Sequence, residues 1–149
     1  MGTITGSSMA EIDAPLDHVW AIVEDVLDAP AWQGGLKAMH ELDRDDDGHV
    51  VLAESHSDAK VRTIKSTVRF AYDAPSRLRW RQEQGELKSV EGEWDLEDLG
   101  GDRTRATYRL DVELGRMLGM VIRGPLIDVL RSQLVGARAA ELKRRAESA

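Results

Sequence analysis

Cysteine is absent from the 149-residue chain. Its absence excludes disulfides, thiolate zinc sites and a cysteine nucleophile together. It also fits a reducing cytoplasm, the expected location. An excess of positive charge is missing as well: 20 Lys and Arg stand against 27 Asp and Glu, a net charge of −7. A sequence-independent nucleic-acid binder needs a basic face to displace counterions, so nucleic acid is not an expected partner. The same balance disfavours adhesion to an anionic membrane. No apolar run approaches the roughly 18 residues of a membrane span. The longest, Met117 to Ile122, is far shorter, and no stable membrane insertion is expected. Met1 to Ala10 is small and polar, unlike a signal peptide. Internal repeats and low-complexity linkers are lacking too.

Several chemical signatures are also missing. Gly34-Gly35 and Gly100-Gly101 lack the Lys or the strand–helix context of a phosphate-cradling loop. No Ser–His–Asp set can be placed. His49 and His56 do not stand at a metal-ligand spacing. One motif is present and needs weighing: Asp43-x-Asp45-x-Asp47-Gly48, then Glu54, matches a calcium-loop pattern, with Val50 at its apolar position. Such a loop needs a helix on each side. Ser55 to Lys65 shows no amphipathic helix, and no second loop exists. The expectation is a solvated acidic hairpin turn, with no metal and no cofactor.

What is there reads as one globular α+β domain spanning 1–149. The apolar fraction is 42% and the charged fraction 32%, mixed in sign. Thr3 to Ile12 reads as a strand. Pro15 suits a first helical turn, with Asp13 a candidate cap. Val19, Trp20, Ile22, Val23 and Val26 recur at helical spacing, which predicts a helix from Pro15 to about Asp25. A second short helix is expected around Ala31 to Gly34, carrying Trp32. Six short segments follow, divided by turn signals: 36–42, 50–56, 61–72, 77–84, 88–96 and 103–114.

The last three segments test one another. Folding at Gly85-Glu86 puts Arg77, Arg79 and Arg81 opposite Asp95, Glu93 and Glu91. Folding at Gly100-Gly101 puts Glu97, Asp95 and Glu91 opposite Arg103, Arg105 and Arg109. The result is a plus/minus/plus ladder over three antiparallel strands. The same register sends Leu78, Trp80, Trp94, Leu96, Ala106, Tyr108 and Leu110 to the other face. A one-residue slip would destroy both patterns. The chain then changes period. Leu126, Ile127, Leu130, Leu134, Ala137 and Leu142 form one helical stripe, with Arg131, Arg138, Lys143 and Arg144 on the other side. A long amphipathic helix is expected from Pro125 to about Ala146.

This order, with Ile12-Asp13-Ala14-Pro15, Val19-Trp20, Pro30 and Trp32 near the start, resembles the START-like (SRPBCC) superfamily. Gly92-Glu93-Trp94-Asp95-Leu96 and the closing Glu141-Leu142-Lys143-Arg144-Arg145 carry the same resemblance. It extends to the polyketide cyclase/dehydrase and coenzyme Q-binding branches. It implies a helix-grip fold: a curved seven-stranded antiparallel sheet wrapped around a long C-terminal helix, with two short helices after strand 1. It also implies a cavity between sheet and helix, and a lining mainly apolar with a few polar groups makes a ligand site. The expected sheet-side contacts are Ile64, Val68, Phe70, Tyr72, Trp80, Gln82, Trp94 and Tyr108. Leu126, Ile127, Leu130 and Leu134 come from the helix, and Met117 and Met120 form a lip. Tyr72, Gln82 and Tyr108 stand out, since an inward polar group needs a partner.

The expected function is binding or transport of a hydrophobic small molecule: a lipid, an isoprenoid quinone or a polyketide-like compound. The alternatives are a polyketide aromatase/cyclase-dehydrase and a protein-interaction module on the same fold. Cyclases of the superfamily use an inward Arg on the strand before the turn matched by Asp73 to Ser76, and a Tyr after the second short helix. The resemblance places these on Phe70 and near Leu36, two departures that disfavour catalysis. His40, Glu54 and His56 are the remaining acid/base candidates on the middle strands. No catalytic residue is assigned.

Overall fold

A computed structural model describes residues 2–148; Met1 and Ala149, the outermost residues of the expected 1–149 domain, lie outside them. Alternation sets the first strand, β1 (Thr3–Ile12), whose ends Ile4 and Ile12 are buried. Pro15 then opens α1 (Leu16–Glu24), which buries Val19, Trp20 and Val23 at helical spacing. The second short helix comes earlier than expected. It is a 3₁₀ turn at Val26–Ala31 that takes Pro30 inside it, and Trp32 follows its end. Six strands come next: β2 (Leu36–Arg44), β3 (Val50–Asp58), β4 (Thr63–Asp73), β5 (Arg77–Gly85), β6 (Ser89–Gly100) and β7 (Arg103–Glu113). They form one curved sheet ordered β1-β7-β6-β5-β4-β3-β2. Every neighbouring pair is antiparallel.

The β5–β6 ladder has the expected register: Arg77, Arg79 and Arg81 pair with Asp95, Glu93 and Glu91. The β6–β7 ladder does not. Glu97 pairs with Arg105, Glu93 with Arg109, and Asp95 with Thr107. The cause is the turn. Its central residues are Gly101 and Asp102, at φ 62° and 59°, the left-handed pair of a type I′ hairpin. A bulge between Asp98 and Gly100 adds a further residue. Together these displace β7 by two residues, which preserves the facing of every side chain. The ion pairs follow the new register, Arg105–Glu97 at 2.9 Å and Arg109–Glu93 at 2.6 Å. Glu11 of β1 extends the ladder to Arg103 at 3.0 Å. All of these groups meet solvent, so each pair contributes only about 0.2–1 kcal/mol.

The acidic 43–54 segment is a hairpin turn between two strands, not a loop between two helices. The Asp45 carboxylate is occupied by the backbone N–H groups of Asp47 and His49, at 3.0 and 2.9 Å. No cluster of three metal-ligating side chains exists among the described residues. Millimolar calcium should therefore leave the melting temperature unchanged. An upward shift of several degrees in a thermal scan would reveal a site.

The C-terminal segment is helical but not uniform. A short helix α2 (Gly115–Val121) leads through Gly124 to α3 (Pro125–Arg131). A π turn at Ser132–Gly136 follows, then α4 (Arg138–Glu147). The Ala137 N–H donates to the Ser132 carbonyl at 2.9 Å, five residues back. The extra residue advances the buried face by one position. It passes from Leu130 to Val135, then to Ala139, Leu142 and Ala146. Arg138, expected on the solvent side, comes inward with it and is 3% exposed. Polar clamps hold α4 in place: Lys143 to the Glu11 carbonyl, the Asp13 N–H to Glu147, and Arg145 to Asp28. No helix among the described residues is long and apolar enough to cross a membrane.

Candidate functional site

The concave face of the sheet and the C-terminal helix do not close on each other. They leave a cavity of about 150 Å³. Strand alternation sends Ile64, Val68 and Phe70 of β4 into it, with Trp80 of β5, Trp94 of β6 and Tyr108 of β7. Leu130 and Leu134 line it from the helix side. The aromatic wall is continuous. Trp94 lies 4.8 Å from Tyr108, Tyr108 lies 5.7 Å from Trp80, and Trp80 lies 6.4 Å from Phe70. These tilted contacts suit the ring quadrupoles and add rigidity. Trp80 lies over Gly92 on the next strand, where any Cβ would run into the indole.

Six expected contacts lie outside the cavity lining. The Tyr72 hydroxyl donates to the Val50 carbonyl at 2.6 Å, and its ring stacks on His49. Burial, with Glu24 nearby, pushes that hydroxyl far above its ordinary range. Gln82 is a strut: its carbonyl accepts from Ser66 and its amide donates to the Leu87 carbonyl, both at 2.8 Å. Leu126 and Ile127 are half-buried and pack on the core edge. Met117 and Met120 are solvent-facing, 82% and 64% exposed, so they form no cavity lip.

The structure adds residues that sequence pattern did not single out. Val23 of α1, Gln33 and Leu36, Ser55 and Ser57 of β3, and Ile4 of β1 all reach the lining. Arg138 is the most consequential. Its Nη1 donates to the Gly34 carbonyl at 2.9 Å and to Glu141 Oε1 at 2.8 Å. Its Cζ lies 5.7 Å from the centre of the Tyr108 ring, a cation–π arrangement. Burial raises the Tyr108 hydroxyl above its ordinary range, against a weaker downward pull from Arg138. The one sequence signal for Arg138 was its spacing of four residues from both Leu134 and Leu142 of the apolar stripe.

Residues 12–137 match the family model described as polyketide cyclase / dehydrase and lipid transport. The chain belongs to this family. No curated protein shows a significant sequence match. Among solved structures, a START superfamily protein from Mycobacterium smegmatis is similar at 23% identity and a TM-score of 0.82, covering 98% of both chains. The Zhui aromatase/cyclase from a Streptomyces species is similar at 18% identity and a TM-score of 0.82, covering 98% of this chain and 94% of that one. A Thermus thermophilus protein follows at 18% identity and 0.77, covering 97% of each. At these identities the likeness establishes the helix-grip fold alone.

Within this polyketide cyclase/dehydrase family chain, the cyclase resemblance puts an Arg at Phe70 and a Tyr near Leu36. Phe70 and Leu36 both line the cavity. Arg69 turns outward and pairs with Glu83. His40, Glu54 and His56 stand apart from the lining. His56 bonds Glu54 at 2.7 Å and lies edge-on to His40 at 5.0 Å. That bond holds the Glu54 carboxyl below its usual range. Ser55 and Ser57, which alternate with Glu54 and His56, take the inward positions on β3.

Proposed function

We propose that this protein binds a hydrophobic small molecule between its sheet and its C-terminal helix, as a carrier or sensor. The observation that carries the reading is the aromatic-walled cavity with apolar side chains at both cyclase positions. Packed interiors seldom leave a void of this size. A mainly apolar cavity of about 150 Å³ is large enough for a benzene-sized body. A lipid, isoprenoid quinone or polyketide-like molecule would enter with one such portion and displace wall side chains for the rest. Family membership supports a hydrophobic ligand without naming it.

Titration with toluene, followed by the indole N–H signals of the four tryptophans in an NMR spectrum, tests this. Saturable shifts at Trp80 and Trp94 are expected, because both line the cavity, while Trp20 sits on α1 outside the lining and should respond little. Weak, unsaturable shifts spread over all four would contradict the reading.

A further inference from the structure

Arg138 is a buried cation with a spare donor. Its residue is 3% exposed, it lines the cavity, and its Nε has no hydrogen-bond partner. Nη1 donates to Gly34 and Glu141, and the guanidinium lies beside Tyr108, which leaves Nε as the free donor. Glu141 is itself fully used, since its other oxygen accepts from the Gly34 N–H at 2.8 Å. A buried polar group left unpaired is unfavourable and rare in proteins. A second orphan lies in the same aromatic cluster. Trp32 Nε1 is buried without a partner, and its ring lies 6.1 Å from Trp94, which in turn packs on Tyr108. Both orphans are donors. The Arg138–Glu141 pair is already neutral, so a carboxylate on the ligand would leave net negative charge beside a buried ion pair. A neutral acceptor oxygen would not.

We propose that Arg138 anchors the carbonyl oxygen of an otherwise apolar, ring-bearing ligand whose body lies against Trp94, Tyr108 and Phe70. Arg138 follows the π turn directly, at the start of α4 and four residues before the buried Leu142. The proposal rests on the ligand-binding reading above and narrows it to a ketone-like molecule. Arg138 stands on the helix, across the cavity from Phe70, so it acts from the wall opposite the strand position that cyclases use.

Three compounds of nearly equal shape make the test: acetophenone, isopropylbenzene and benzoate. Their affinities for the full chain are measured by the Trp80 and Trp94 indole shifts. Acetophenone should bind about 10-fold or more tighter than isopropylbenzene, the scale of one hydrogen bond from a charged donor. Benzoate should bind more weakly than acetophenone. In the Arg138→Met/Glu141→Gln double variant, which keeps an acceptor for the Gly34 N–H, the two neutral compounds should bind equally. Arg138→Lys, which keeps the charge but loses the fork, should recover only part of the preference. Circular dichroism checks that each variant is folded. If none of the three binds the wild type, the ligand-binding reading itself fails. If acetophenone and isopropylbenzene bind equally, or the preference survives in the double variant, the anchor is overturned while the cavity stands. Tightest binding by benzoate would overturn the neutral-carbonyl assignment.

Discussion

Replacing Trp94 with alanine should lower the unfolding free energy by about 3–5 kcal/mol. Trp94 is 2% exposed and touches the aromatic rings of both Trp32 and Tyr108. It joins the sheet to the segment after the 3₁₀ turn, so its loss removes contacts on two sides. The truncation also enlarges an existing cavity, and neighbours on a hydrogen-bonded sheet cannot collapse to fill it. A denaturant titration would show the drop as a lower midpoint with an unchanged slope. Indole added to the variant should raise its melting temperature by refilling the space, and should do much less for the wild type. A loss below about 1 kcal/mol would mean that Trp94 is not the packed keystone that its burial implies.

Filling the cavity should have the opposite effect on stability and abolish binding. Val68→Phe puts a ring into the space from β4, where Val68 is 4% exposed and lines the cavity. Cavity-filling changes commonly add about 0.5–2 kcal/mol, a rise of roughly 2–4 °C for a chain of this size. Toluene binding should disappear. Leu134→Trp approaches from the helix wall and should do the same, which guards against local overpacking at one position. A rise in stability with loss of ligand is the signature of space kept open for use. A variant that melts lower and still binds would place the ligand elsewhere.

The residues that gave the sheet away were those whose information is local. Alternation along β5, β6 and β7, with charge on one face and Trp80, Trp94 and Tyr108 on the other, set the facing of each strand. The register of the last hairpin was out by two residues. Two glycines permit several turns, and the choice of Gly101-Asp102 as its centre is a matter of backbone geometry. Tyr72 and Gln82 were read as ligand contacts because inward polar groups need partners. Their partners, Val50 and the pair Ser66 and Leu87, are brought near only by folding. Arg138 escaped notice because a charged residue at the edge of a stripe reads as a solvent-facing one. Arg138 stands four residues from both Leu134 and Leu142, and only its charge assigned it to the solvent side; in the fold it is buried.

The cavity lining was therefore half legible. The strand positions Ile64, Val68, Phe70, Trp80, Trp94 and Tyr108, with Leu130 and Leu134, line the cavity as expected. Met117 and Met120 were placed at its mouth because methionine suits a flexible rim. They sit instead on the outer side of α2, while Leu118 from the same helix points inward. A seven-residue helix whose orientation is set by flanking turns gives periodicity too little length to work with.

The most direct measurement is native mass spectrometry of the protein purified without detergent from its own source, beside the Val68→Phe variant prepared in the same way. A single apolar, carbonyl-bearing molecule at near-equal stoichiometry should accompany the wild type and be missing from the variant. A wild-type protein that never carries a small molecule, and that gains none when its source extract is added back, would contradict the claim that the space under the last helix is a binding site.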